Sequence, residues 1–470
     1  LRYDYDVLSI GLGPAGMAVS AMGAEMGLRV CAVERDRIGG ECMNAGCIPS
    51  KALLRTASLR HAVSRFPSME LGASRPPEVQ EVFGRIREKI EFINSRKTMR
   101  MFDKVDLVLG EGSARFAGPH TVEVDGRRIT ARKVFVATGS DPLVPPVPGI
   151  AEVDILTNEN VFDLDRPPQS LLILGGGAIG SEMAQAFRRL GSEVTVVHMD
   201  DHLLPFADRE DGDLLQEALE SEGVRVLNGC RLTSVRQVGG EMVAESDACG
   251  ELRAERLLVA AGRCPRTAGL NLEAAGVEYG RGGIRVDRHL RTSSRSVYAV
   301  GDVNGFSLFS HSAMHQGMLG LMNCMLPGPF GLRFRRYPVP WTVFTEPQVS
   351  HVGELKRDLE GRGARFETVE ARYGDYGAAI AEGVDTGYVR AFVSPRGRVL
   401  GATVIGEGSG EMINEWGLAM QEKVPIYRMM MLQHSFPTMS FLSKRVTESW
   451  MMDRMGSGAL RAISRLLFRV

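Results

Sequence analysis

The chain has 470 residues, 44% hydrophobic and 24% charged, and a net charge of −1. That length predicts two to four domains, and the balanced charge excludes a whole-protein pull toward nucleic acid or an acidic membrane. No apolar run approaches ~18 residues, which excludes a membrane-spanning helix, and seven cysteines in this length are too few for a secreted disulfide framework.

The first predicted element is the strand "YDVLSI". No charged segment followed by an apolar one precedes it, so no secretory signal is expected and a cytoplasmic location is the default. The strand runs into "GLGPAG", with Gly11, Gly13, Pro14, Ala15 and Gly16, then into a predicted helix and a second strand, "LRVCAVE", ending at Glu34. This is the G-x-G-x-x-G fingerprint in its strand–turn–helix–strand setting. The glycines let backbone N–H groups approach a pyrophosphate at the helix N-terminus. Glu34 is placed to accept hydrogen bonds from ribose hydroxyls.

"GGECMNAGCIPSK" follows, with Cys42 and Cys47 separated by four residues. A metal centre would need a second Cys/His pair at ligand spacing. The other cysteines, Cys31, Cys230, Cys249, Cys264 and Cys324, are scattered singly along the chain, so no metal site is expected. Ordinary core burial fits poorly beside Gly39, Gly40, Gly46 and Pro49. A disulfide is favoured, but one regular helix would hold the two Cα atoms at least ~7.5 Å apart, too far for an S–S bond. The segment must therefore distort. A disulfide closing so small a ring reads as reactive rather than structural. "IPSKALLRTASLR" reads as a helix with Pro49 in its first turn, with Cys47 just before it, where the helix end favours a thiolate.

The nucleotide pattern recurs at "LLILGGGAIGSEMAQAFRRLGSEVTVVH", which carries Gly175, Gly177, Ile179 and Gly180. The offset that leads from Gly11 to Glu34 leads from Gly175 to His198. Without a carboxylate there, the repulsion of a 2′-phosphate is gone, which favours NADPH; Asp200 and Asp201 close by argue for NADH. Two such units predict two nucleotides, a bound flavin and a diffusing nicotinamide with hydride passing between them.

Gly39 to Lys51 matches, position for position, the G-G-x-C-x-N-x-G-C-x-P-S-K signature of the flavoprotein disulfide reductases, such as dihydrolipoamide dehydrogenase, glutathione reductase and mercuric reductase. The resemblance extends over nearly the whole chain. "VFVATGSDPLVPPVPG", "AAGRCPR" and "VYAVGDV" resemble further nucleotide motifs, and "VPWTVFTEPQVSHVG" and "GEMINEWGLAM" resemble the dimerisation domain. It implies FAD held by Gly11, Gly13, Pro14, Ala15, Gly16, Glu34, Gly40, Cys42, Lys51, Ala114, Thr138, Gly139, Asp302 and His311. It implies NAD(P)H at Gly175, Gly177, Ile179, Gly180, Glu182, His198 and Gly262. Cys47 would be the flavin-proximal thiol and Cys42 the interchange thiol, while Lys51 would lie near the flavin and pair with Glu182. The implied architecture is α/β: an FAD domain from 1–148 and 267–335, an NAD(P)H domain at 149–266, and an α+β dimerisation domain at 336–470. The implied assembly is a homodimer with active sites at the subunit interface and a thiol or disulfide substrate, either a small molecule or a protein.

One motif departs from the family. Where most members end in H-x-H-P-T-x-x-E, this chain reads "HSFPTMSF", with Phe436 at the acid–base histidine and Phe441 at its glutamate. Phenylalanine neither takes nor gives a proton. Three substrate readings follow: a conventional disulfide, with His434 a candidate stand-in; a metal or other electron acceptor, as in mercuric reductase; or carbon–sulfur cleavage with carboxylation, as in 2-ketopropyl-coenzyme M oxidoreductase/carboxylase. The mercuric reductases' C-terminal cysteine pair has no counterpart after Cys324. The carboxylase carries His where this chain has Phe441. The final stretch, "GALRAISRLLFRV", places Arg461, Arg465 and Arg469 on one helical face and Leu460, Ile463 and Leu467 on another. Packing on its own dimer, or fraying, is favoured over docking on a membrane surface or a partner.

Overall fold

The computed structural model describes residues 2–326, 328–456 and 458–468. The chain opens with β1 (Tyr5–Ile10), α1 (Pro14–Glu25) and β2 (Val30–Glu34). Helices α2 (Gly40–Asn44), α3 (Cys47–Ala62) and α4 (Val82–Ile93) follow, then β3 (Asp106–Leu109), β4 (Ala114–Gly118), β5 (Thr121–Val124) and β6 (Arg127–Val136). The sheet runs β3-β2-β1-β6-β5-β4. β1 is central and parallel to both neighbours, with Val7 opposite Val30 and Lys133. All of β2 is buried, as expected of a parallel strand covered on both faces. The Asp125–Gly126 pair turns β5 into β6, both residues at positive φ (45° and 80°), the preference of a two-residue hairpin.

Next come β7 (Ser140–Pro142), β8 (Ile155–Leu156), β9 (Ser170–Leu174), α5 (Ala178–Leu190), β10 (Glu193–Val197), α6 (Arg209–Ser221) and β11 (Arg225–Leu227). After them lie β12 (Leu232–Val238), β13 (Glu241–Ser246), β14 (Gly250–Ala254), β15 (Arg256–Val259) and β16 (Arg263–Pro265). Strands β10, β9, β15 and β8 lie parallel in that order. Strands β12, β13 and β14 form an antiparallel meander, and β16 pairs with β7. The small hairpin of β17 (Tyr279–Gly280) and β18 (Gly283–Ile284) leads to β19 (Val297–Ala299) and α7 (Ser310–Met325). β19 returns to the first sheet beside β6, Val297 opposite Val134. Val134, Val136, Val297 and Ala299 share one buried apolar cluster with Leu8, Ile10 and Val33.

The last stretch holds β20 (Trp341–Val343), β21 (Val349–Gly353), α8 (Lys356–Gly361), β22 (Glu367–Arg372), α9 (Gly377–Glu382), β23 (Tyr388–Val393) and β24 (Val399–Ile405). Helices α10 (Ser409–Gln421), α11 (Ile426–Met430), α12 (Phe441–Met455) and α13 (Gly458–Phe468) complete it. Its antiparallel sheet runs β20-β21-β24-β23-β22. Trp416 of α10 and Val446 of α12 are buried in one cluster with Val389 and Val404 of the sheet. Burial of such side chains contributes about 1.5–3 kcal/mol each.

Residues 1–176, 183–199 and 229–335 form one compact unit, and 177–182, 200–228 and 336–470 another. Among the described residues no helix is long and apolar enough to cross a membrane, and no cluster of three or more His, Cys, Asp or Glu is placed to hold a metal ion. The tail helix forms as expected, with Ile463 and Leu467 exposed. The side chain of Leu460, and Arg469, lie outside the described residues.

Candidate active site

The two cysteines of the redox motif are brought together by a break in the helix. Cys42 lies in α2, and α3 begins at Cys47 itself, one residue earlier than the sequence predicts. Between them Ala45 and Gly46 leave helical geometry, the distortion that the spacing demands. Gly39 and Gly40 have φ of 90° and 53°, a region that favours glycine. A Cβ on Gly40 would stand 2.9 Å from the Cα of Gly13. The motif therefore packs directly on the first glycine loop. Asn44 braces it, donating to the carbonyls of Ile38 (3.0 Å) and Gly40 (2.8 Å).

Cys42 and Cys47 are not joined in a disulfide here. The hydrogen bond to Cys47 raises the pKa of the Cys42 thiol most, burial adds to this, and Ser310 and Lys51 oppose it. Cys47 Sγ and Ser310 Oγ share a hydrogen bond of 3.2 Å. Ser310 opens α7 and was not among the residues singled out from sequence. His311, next to it, is exposed and stacks on Phe309 at 5.6 Å.

The residues around the first glycine loop fit a dinucleotide. Gly11 has a φ of 96°, and a Cβ there would stand 2.5 Å from the Ala137 carbonyl oxygen. Nothing lies within 4 Å of where a Cβ on Gly13 or Gly139 would be, which leaves room over both turns. Gly13 caps α1 with no side-chain hydrogen bond, and Pro14 opens the helix, so its first N–H groups face this space. Glu34 accepts from the N–H of Leu12 (2.8 Å) and of Asp36 (3.0 Å), which holds its carboxylate beside the loop. Ala15 is buried in α1. Gly16 is close-packed, since a Cβ there would meet the Gly11 carbonyl. Ala114 lies in β4 with its methyl group in the apolar cluster.

A charged network that sequence reading missed surrounds Asp302. Ser140 donates to Asp302 Oδ2 (2.7 Å), and Arg263 Nε donates to Ser140 Oγ (2.7 Å). Arg263 also binds Glu41, the residue before Cys42. Asn158 donates to Glu41 at 3.2 Å, and Arg266 lies 3.7 Å from it. Arg266 donates its own N–H to the Gly139 carbonyl (3.0 Å), and its carbonyl accepts from Thr138 Oγ1 (2.7 Å). Burial raises the pKa of both Glu41 and Asp302, with Arg263 opposing in each case. The network joins "GGEC", "ATGS", "AAGRCPR" and "VGDV", four motifs that are remote in sequence. Only tertiary contacts reveal it, because an arginine between two motifs carries no local pattern.

At the second loop, Gly175 has a φ of 122°, and a Cβ there would stand 2.3 Å from the Ala260 carbonyl oxygen. The His198 ring is buried and packs on Gly176, 2.8–2.9 Å from where its Cβ would be. Gly262, φ 120°, gives its carbonyl to the Leu143 N–H (2.9 Å). In the other unit, Gly177, Ile179, Gly180 and Glu182 form the turn into α5 and its first turns. Open space lies over Gly177. This open, close-backbone turn fits a second nucleotide. Glu182 is buried and accepts the Phe344 N–H at 2.9 Å.

Phe436 and Phe441 stand edge to face at 5.2 Å between ring centroids, and Tyr376 stacks on Phe441 at 6.1 Å. Phe436 is 70% exposed on the single chain. His434 turns instead toward Glu415 of α10, its Nε2 lying 3.0 and 3.2 Å from the carboxylate oxygens. No local pattern announces this pair, since its partners sit on different elements.

Residues 5–317 match the pyridine nucleotide-disulphide oxidoreductase family and residues 339–445 match its dimerisation domain. A dihydrolipoyl dehydrogenase of Thermus scotoductus is 34% identical over 93% of this chain and 95% of its own. A mercuric reductase of Bacillus cereus is 32% identical over 89% of this chain and 67% of its own. Among solved structures, the HOCl-induced flavoprotein disulfide reductase RclA of Escherichia coli superposes with a TM-score of 0.85 at 28% identity, covering 94% of this chain and 99% of that one. LpdA of Mycobacterium tuberculosis superposes with a TM-score of 0.86 at 26% identity, covering 95% and 99%. With both parts of the family matched along the chain and the paired thiols seated beside a glycine loop, this protein belongs to the pyridine nucleotide-disulphide oxidoreductases, FAD-dependent enzymes that use NAD(P)H and carry a dimerisation domain.

Proposed function

We propose that the enzyme reduces thiol/disulfide substrates whose leaving thiolate departs without a proton donor, and that it does so at a subunit interface. The observation that carries this reading is the Tyr376–Phe436–Phe441 aromatic cluster at the family's acid–base position. FAD, when bound, supplies the two-electron chemistry that links NAD(P)H to the Cys42–Cys47 pair. In this reading it is held by 1–148 and 267–335, with the nicotinamide held by 149–266 and the interface formed by 336–470.

The chain's own residues then divide the work. Cys42, as thiolate, attacks one sulfur of the substrate disulfide and forms a mixed disulfide; the other sulfur leaves as a thiolate. Cys47 then attacks Cys42, which re-forms the internal disulfide and releases the second thiolate. Ser310 holds Cys47 at 3.2 Å, and Lys51 supplies positive charge near Cys42. We place Lys51 beside the flavin. Both released thiolates take their protons from water. Exchange quickens as the leaving thiol becomes more acidic, so an electron-poor disulfide needs no donor where lipoamide does. His198 in place of the usual acid supports NADPH over NADH.

A second reading is reduction of a thiophilic metal ion, for which no leaving thiolate needs a proton. The same aromatic cluster favours it. So does the company of the chain: mercuric reductases are among its relatives, and RclA has been solved as a Cu(II) complex. Steady-state rates with NADPH separate the two. Turnover of a nitro-aryl disulfide far above that of lipoamide supports the first reading. Equal turnover of both overturns it. Turnover of Hg(II) or Cu(II) with neither disulfide active moves the assignment to the second.

A further inference from the structure

Two cysteines that lie apart in sequence meet outside the redox motif. Cys230 precedes β12, and Cys249 sits in the turn from β13 to β14. Antiparallel pairing sets Leu232 opposite Ser246. It is extended by the Asp247 N–H donating to the Arg231 carbonyl (3.0 Å) and the Arg231 N–H donating to Asp247 Oδ1 (2.9 Å). The Cys249 N–H donates to Ser246 Oγ at 2.9 Å, which curls the turn back toward Cys230 across the ladder; burial raises the pKa of the Cys230 thiol, Cys249 adds to this and Ser246 opposes it. Both cysteines are free thiols. Cys230 is fully buried, while Cys249 is half-buried on a turn whose other residues, Asp247 and Ala248, are exposed.

The pair also touches the second nucleotide loop. The Cys230 N–H donates to the carbonyl of His198 at 3.0 Å, and the His198 ring packs on Gly176. A shift of Cys230 is therefore one backbone hydrogen bond from the residue at the ribose-recognition position.

We propose that Cys230 and Cys249 are a second redox pair, closed to a disulfide by a hydroperoxide, and that closure weakens nicotinamide nucleotide binding through His198. The effect on nucleotide rests on the reading of that loop given above; the disulfide does not. Cys249 is the thiol within reach of solvent; it loses its proton, its thiolate attacks one oxygen of hydrogen peroxide, the O–O bond breaks, and the hydroxide that leaves takes that proton back, giving a sulfenic acid and water. The Cys230 sulfur then attacks the sulfenic sulfur. The S–S bond forms, hydroxide leaves and takes up the Cys230 proton, and a second water results. Two electrons pass from the two sulfurs to the peroxide. The bond needs matched Cβ positions, and the exposed turn is the element that moves to supply them.

The test uses the full-length flavoprotein treated with hydrogen peroxide, followed by alkylation of free thiols, non-reducing proteolysis and mass spectrometry. The expected product is a peptide pair joined through Cys230 and Cys249 that separates on reduction. Alkylated Cys230 beside a Cys249 oxidised to the sulfinic acid would overturn the proposal. Cys249→Ser and Cys230→Ala should each abolish the joined pair while leaving the Cys42–Cys47 linkage. NADPH and NADH binding is then titrated before and after oxidation. A several-fold loss of affinity in the wild type, absent in Cys249→Ser, is expected. Equal affinity in the joined and reduced forms would overturn the coupling through His198. Failure of the reduced protein to bind either nucleotide would instead overturn the loop assignment, with the peptide result unaffected.

Discussion

Restoring the family's acid–base pair is the sharpest test of the substrate reading. Phe436 and Phe441 are 5.2 Å apart between centroids, so an imidazole and a carboxylate at these positions are within reach of a hydrogen bond. General acid–base help is worth ~10²–10⁴ in rate, or about 3–5 kcal/mol. Phe436→His alone lacks the carboxylate that orients the ring, and we expect lipoamide turnover to rise by less than about tenfold. Phe436→His/Phe441→Glu should raise it by about 10²-fold or more and introduce a pH dependence near the ordinary histidine value of ~6.5. The change has a structural cost: Phe441 loses its contacts with Tyr376 and Phe436, each worth about 0.5–1.5 kcal/mol. Thermal melts and flavin content therefore accompany the rate measurements. Turnover of a nitro-aryl disulfide should change little in either variant. A full gain from the single substitution, or none from a folded, flavin-loaded double variant, would refute the reasoning.

Three further outcomes follow from the geometry. Gly11→Ala forces a side chain into a φ of 96° with its Cβ 2.5 Å from the Ala137 carbonyl; a cost of about 1–3 kcal/mol and loss of bound flavin are expected, read by melting temperature and by absorbance of the purified protein. Anaerobic titration with NADPH or NADH should produce a long-wavelength thiolate–flavin absorption band that Cys47→Ser abolishes; a band that persists in the variant would show that another group makes the contact. Asp211 is buried and accepts from the Tyr388 hydroxyl, and burial raises its pKa from 3.8 to about 6 although Tyr388 opposes the shift. The folded chain then holds that proton more tightly than the unfolded one, so the stability it contributes is full below pH 3.8 and is lost as pH rises to about 6. At about 1.4 kcal/mol per unit the loss approaches ~3 kcal/mol. Denaturant titrations of wild type and Asp211→Asn should diverge by that much across the window, and parallel curves would refute it.

Local pattern made much of this protein legible. Each glycine fingerprint sits between a strand and a helix, because close approach of the backbone to phosphate imposes that order on any sequence. The spacing of Cys42 and Cys47 required a broken helix, and Ala45–Gly46 is where it breaks. The proposal that Phe436 and Phe441 stand where a proton donor would act rests on their positions in the motif. Other features had no local signal. Glu41, Ser140, Arg263, Arg266 and Asp302 form one network, yet they lie on segments whose nearness is created by the return of the chain through β19 and by the β7–β16 pair. Ser310 meets Cys47 only because α7 begins beside α3. Cys230 and Cys249 read as isolated cysteines until the β12–β13 register brings the segments that carry them together, Leu232 opposite Ser246. Chemistry carried by a contiguous motif is written in the residue order, since its geometry is local. Chemistry assembled across strands and helices is decided by packing and register, which no short window of sequence contains.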